Sequence, residues 1–183
     1  MLERCLIECC SSTLASLKSA SLFNATFDSL EDAERQIHFW NDCFEHKGLH
    51  LFLLRFKGNR ALIYIYRLSQ LEKILQDPET AKFLKKYGYE HIDTERALLR
   101  LRNRIAENED FPHEIGIFLD YPLGDVIGFI DNEGRNFKCV GCWKVYCNEC
   151  SSRKKFAQFK KCQQVYRRLW QQGRSVLQLT VAA

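Results

Sequence analysis

Apolar positions fall into runs with two different periods. Between residues 28 and 46, Leu30, Ala33, Ile37, Trp40 and Phe44 recur at helical spacing, Asp28 is placed to cap and Gly48 to end the element, so a helix is predicted. Two β-rich runs follow, LHLFLLRF (49–56) and ALIYIYRL (61–68). The turn residues Lys57-Gly58-Asn59-Arg60 separate them, which predicts an antiparallel hairpin. Helices are predicted at 69–76, at 78–87 before Gly88, and at 93–107, where Ala97, Leu98, Leu101 and Ile105 form a stripe. IGIFL (115–119) reads as a short strand in the hairpin's sheet, and Pro122 suits the first turn of a helix to about Ile130. FKCVGCWKVY (137–146) reads as a fourth strand, and 151–172 as a long basic helix. A hairpin without a βαβ repeat points to a single α+β domain over 1–183. Its sheet, mixed or antiparallel, is expected to have about four strands packed by helices.

Composition narrows the setting. The 183 residues have the balance of a globular protein, and three prolines argue against long linkers. No apolar run approaches the roughly 18 residues of a membrane span, and MLERCLIECC is a poor signal peptide. Nine cysteines, an odd number without an export signal, are expected as reduced thiols in a cytoplasm rather than as a disulfide framework.

Four features could carry chemistry. Cys139, Cys142, Cys147 and Cys150 offer four thiolates for zinc or an iron–sulfur cluster, but only Trp143 to Tyr146 separate the two pairs. On one strand Cys139 and Cys142 would also point to opposite faces. Small thiols on a strand and turn are the simpler reading. Cys147 and Cys150 could alternatively be a redox pair at the start of the last helix.

That helix carries Arg153, Lys154, Lys155, Lys160, Lys161, Arg167, Arg168 and Arg174, with no acid among them. Phosphate backbones could meet this face, yet Phe156, Phe159, Tyr166, Leu169 and Trp170 fall on the other, buried side and leave no exposed aromatics among the charges. A solvated face is the plainer reading, and nucleic acid is not the expected partner.

In CCSSTLASLKSASLF (9–23) Leu14, Leu17 and Lys18 fall at helical spacing, so Cys10 would lie near a helix start capped by Ser12 or Thr13. Lys18 is the one charge in this run, a fixed cation for an anionic ligand or a solvated side chain. Lastly, in FPHEIGIFLDYP (111–122) Pro112 holds Phe111 extended, His113 and Glu114 could act as acid, base or ligand, and Gly116 would leave a gap for a ligand. A buried His–Glu pair satisfying loop amides is the alternative.

FPHEIG-x-F-L-x-YP, together with DVIGFI (125–130) and G-x-WKVY (141–146), resembles an uncharacterised bacterial family known only as a domain of unknown function, mostly from anaerobes. LASLKSASLF, RALIYIYR and the spacing of Phe156, Phe159, Cys162 and Tyr166 are similar to its pattern too, so the resemblance covers nearly the whole chain. The family pattern has His-Cys where this chain has Cys9-Cys10, and a small residue where it has Asp120. Cys139, Cys142, Cys147 and Cys150 are not part of it. The resemblance implies no activity; a genomic setting near iron-uptake and flavodoxin-like genes implies iron or redox metabolism.

The leading expectation is therefore a small anionic ligand or cofactor held by Lys18, His113, Glu114, Gly116 and Cys10, with no membrane partner. A non-catalytic module using the basic helix and a four-cysteine metal protein are the alternatives. The residues name no cofactor and leave enzyme or binding protein open.

Overall fold

A computed structural model describes residues 2–90, 93–107 and 111–182. At its centre, β3 (Arg60–Arg67) runs antiparallel to both β1 (Ala20–Thr26) and β2 (Leu49–Lys57), giving the order β1-β3-β2. Alternation explains why β3 is central. Ala61, Ile63 and Ile65 enter one apolar core, and Leu62 and Tyr64 enter a second on the opposite face.

Helices cover both faces. α1 (Leu2–Leu14), α2 (Leu30–Phe44) and the short C-terminal α9 (Val176–Leu179) build the first core. α3 (Leu68–Gln76), α4 (Pro78–Lys85), α5 (Thr94–Glu107), α6 (Ile115–Phe118) and α7 (Leu123–Asp131) build the second. A separate small hairpin, β4 (Cys139–Val140) with β5 (Lys144–Val145), leads into α8 (Glu149–Gln171), which packs along α1. The fold is α+β, with one three-stranded and one two-stranded antiparallel sheet.

The β2–β3 hairpin forms as expected, with Gly58 at φ +63° in its turn and a register shift between Leu53 and Arg55. Ser29 rather than Asp28 caps α2, accepting from the Asp32 amide at 3.2 Å.

Three expectations are corrected. IGIFL is the helical turn α6, outside the sheet. The Ile115, Gly116 and Ile117 amides bond back to the Pro112, His113 and Glu114 carbonyls at 3.2, 3.2 and 3.0 Å. Every side of this segment is buried, so its apolar residues carry no period that could separate strand from helix.

The strand that completes the sheet is Ala20–Thr26, in a segment whose Leu14, Leu17 and Lys18 suggested a helix. α1 instead begins at Leu2, placing Cys10 and Thr13 in its last turns and not at a capped start. Arg67 closes that end from inside the protein. Although 1% exposed, it donates to the carbonyls of Thr13 (2.7 Å), Leu14 (2.8 Å) and Val181 (2.9 Å). The first two are C-terminal carbonyls that α1 cannot satisfy itself, and the third ties the chain's C-terminal end to the same guanidinium.

FKCVGCWKVY, finally, is a hairpin and not one strand, because the Gly141 amide bonds to the Trp143 carbonyl at 3.0 Å and turns the chain. A Cβ on Gly141 would stand 2.2 Å from Phe156 Cδ2, so only glycine lets this turn meet α8.

Candidate functional site

α6, α7 and the β4–β5 hairpin enclose a cleft of about 320 Å³. Its floor is apolar, with Ile115, Val126 and the rings of Tyr121, Phe129 and Trp143. Asp125 fixes this geometry. Its buried carboxylate accepts from the Trp143 indole and from the Tyr146 and Cys147 amides, each at 2.8 Å, tying the hairpin to α7. Trp143 is thereby held against Tyr121 with centroids 4.9 Å apart, while Phe156 meets its other side edge-on at 4.6 Å.

Besides Asp125 and Cys142, His113 and Lys144 bring polar groups to the cleft's lining over this apolar floor. His113 is exposed and meets Phe129 edge-on at 4.9 Å. The Lys144 ammonium donates to the Gly134 carbonyl at 2.8 Å and lies 5.6 and 5.0 Å from the Phe129 and Phe137 ring centroids.

Glu114 points elsewhere. It is 1% exposed, pairs with Arg104 and accepts from the Tyr89 hydroxyl at 3.3 Å. Burial, reinforced by the Glu114 charge, raises the Tyr89 phenol well above its ordinary range, so it remains a donor. One turn of helix thus sends two adjacent side chains to different tasks, His113 into the cleft and Glu114 into the core.

Gly116 lines the cleft, but the expected gap is filled. A Cβ there would stand 2.7 Å from Val126 Cγ2 and 3.1 Å from Tyr121 Cδ2. Glycine at this position lets Val126 and Tyr121 close over α6.

Lys18 lies behind the cleft, its ammonium 5.3 Å from the centroid of Tyr121. Burial lowers its pKa from the ordinary lysine value; the neighbouring Cys142, Asp120 and Cys10 oppose that shift. Tyr121 and Cys142, whose carbonyl accepts from the Tyr121 hydroxyl at 3.2 Å, form the wall between Lys18 and His113. Cys10 is fully buried, and burial pushes its thiol well up, away from nucleophilic chemistry at neutral pH.

The four-cysteine ligand set is not assembled. Cys139 is buried opposite Val145 and Cys142 sits in the hairpin turn. The Cys147 sulfur lies 2.5 Å from where a Cβ on Gly124 would stand, and Cys150 is exposed in the first turn of α8. Among the described residues no three His, Cys, Asp or Glu side chains gather to hold a metal ion.

The structure adds Tyr121, Asp125, Phe129, Trp143 and Lys144 to the residues singled out from sequence. An acid at the start of the apolar helix DVIGFI was the available signal for Asp125, since a buried carboxylate requires partners. No helix among the described residues is long and apolar enough to cross a membrane.

The stretches 111–122, 125–130 and 141–146 all contribute side chains to this one cleft. No curated protein and no solved structure matches the chain. The family described as "Protein of unknown function (DUF3793)" matches residues 6–180, so the chain belongs to that family.

Proposed function

We propose that the protein binds a small ligand with a flat apolar body and an anionic group in the cleft between α6, α7 and the β4–β5 hairpin. The observation that carries this reading is the convergence of three separate stretches on one aromatic-lined cavity of about 320 Å³. That volume suits a small molecule, and apolar walls with a few placed polar groups are what ligand sites usually present. The faces of Tyr121, Phe129 and Trp143 would cover the flat body. Lys144, with donors left after its bond to Gly134, would meet the anionic group, and His113 could give or take a proton beside it. A reducing, cytoplasmic setting belongs to the proposal: all nine cysteines are free thiols, and Cys142 stands exposed in the cleft's lining.

Calorimetric titration with 2-naphthoate and with the neutral 2-naphthalenemethanol tests the reading. Naphthoate should bind saturably and more tightly than the alcohol, and Lys144→Met should remove that preference. Equal binding of the two probes, or a preference that survives Lys144→Met, would remove the anion from the proposal. No saturable binding of either would remove the cleft.

A further inference from the structure

Across the Tyr121–Cys142 wall lies a second cleft, of about 230 Å³, between α1, the start of β1 and α8. Its chemistry differs from that of the first. Ser12, Ser21 and Gln163 contribute polar groups, and Lys18 and Lys160 are the cations of its lining. Among the described lining residues the one carboxylate is Glu8, and it is already engaged by Arg4 at 3.0 Å and Arg167 at 4.0 Å. The lining therefore carries two cations, and Asp120, the carboxylate that acts on Lys18, lies outside it.

Lys18 is held in place. Its amide bonds to the Ser12 carbonyl at 3.2 Å, beneath a left-handed Ser16 at φ +59°. The next amide, Ser19, bonds to Asp120 Oδ2 at 3.2 Å. Asp120 itself sits at φ +62°, a conformation that Asp tolerates better than most residues. A strained residue thus helps to fix the turn that carries Lys18. The Lys18 ammonium lies 5.3 Å from the centroid of the Tyr121 ring, and the neighbouring Cys142 and Asp120 favour its charged form. Burial still disfavours this cation, and its neighbouring carboxylate, Asp120, is already bonded to the Ser19 amide, so a further anion would stabilise it.

We propose that this second cleft is an oxyanion site for phosphate, either inorganic phosphate or the phosphate of a small monoester. Lys18 is its interior cation and Lys160 its rim cation. A phosphate carries nearly two negative charges at neutral pH and several strong acceptors, which matches two ammonium groups beside hydroxyl and amide donors. The site is independent of what the aromatic cleft binds, since the two share only the wall at Cys142.

Thermal unfolding in sodium phosphate, compared with sodium chloride at equal ionic strength, reads the site through the stabilisation that ligand binding confers on the folded state. The wild type should gain a saturable rise in Tm with phosphate. Lys18→Met should weaken phosphate binding at least about tenfold and Lys160→Ala several-fold, while Lys18→Arg retains part of the response. Lys160 is exposed, so Lys160→Ala decides the matter should Lys18→Met fail to fold. Repeating the titration with glycerol 3-phosphate separates the sources: tighter binding of the ester assigns the site to a monoester, equal or weaker binding to phosphate itself. A phosphate response no larger than that of chloride, or one unchanged in Lys18→Met and in Lys160→Ala, would overturn the proposal.

Discussion

Replacing Glu114 by alanine separates the two tasks of the turn at 113–116. Glu114 is 1% exposed and its carboxylate holds both Arg104 and the Tyr89 hydroxyl. Removing one partner of a buried ion pair costs about 3–5 kcal/mol, because the remaining group loses the charge that offset its desolvation. Arg104 keeps 20% of its side chain exposed and can recover part of its hydration, which favours the lower end. Tyr89 loses an acceptor in the core, adding about 1 kcal/mol. The expected cost is therefore about 3–4 kcal/mol. His113→Ala removes only an exposed edge contact with Phe129, at most about 1 kcal/mol, and should act on ligand binding instead. Urea unfolding measures both: the midpoint should fall strongly for Glu114→Ala and little for His113→Ala, with slopes unchanged. The double variant Glu114→Leu with Arg104→Met should cost less than the two single changes added together, since the pair is replaced as a unit. A Glu114→Ala protein within about 0.5 kcal/mol of wild type would refute the structural role assigned to this carboxylate.

Asp125→Ala should release the β4–β5 hairpin from α7, leaving the Trp143 indole and two backbone amides without their acceptor, at a cost of about 2–5 kcal/mol in urea unfolding. Trp143 fluorescence should shift to the red in the folded variant, and an unshifted spectrum would show that another contact holds the ring. Alkaline pH should destabilise the protein through its buried thiols. Burial raises Cys10 well above the ordinary thiol value of 9.0 and pushes Cys162 up to about 11. The unfolded chain thus loses these protons first, and their contribution, complete below about pH 9, disappears as pH rises through the folded values. Denaturant midpoints between pH 8 and 11 should fall, less steeply in Cys162→Ala; a flat profile would contradict the burial of these thiols.

The elements legible in the sequence were those with a period long enough to establish itself. α2 shows its buried stripe Ala33, Ile37, Trp40 and Phe44, and the β2–β3 hairpin is announced by its turn residues. α6 was not legible, because five apolar residues buried on all sides look alike as strand or helix. β1 was obscured by the apolar spacing of Leu14 and Leu17, although Leu17 is in fact 44% exposed beyond the helix end. At the site, His113 reached a cleft as its residue type suggested. The fate of Glu114 depended on Arg104, which belongs to α5 and whose facing no local pattern discloses. Lys18 and His113 were expected to share one cleft. The Tyr121 ring, held between Lys18 and Trp143, places them in two.

The most direct test of the ligand cleft is an amide-resolved NMR titration of the folded protein with 2-naphthoate. Shifts should saturate and concentrate at His113, Gly116, Phe129, Gly141 and Lys144, which line the cavity, and should leave the Arg104–Glu114 pair undisturbed. Shifts scattered over the surface, or none at the cleft residues at saturating probe, would contradict the account.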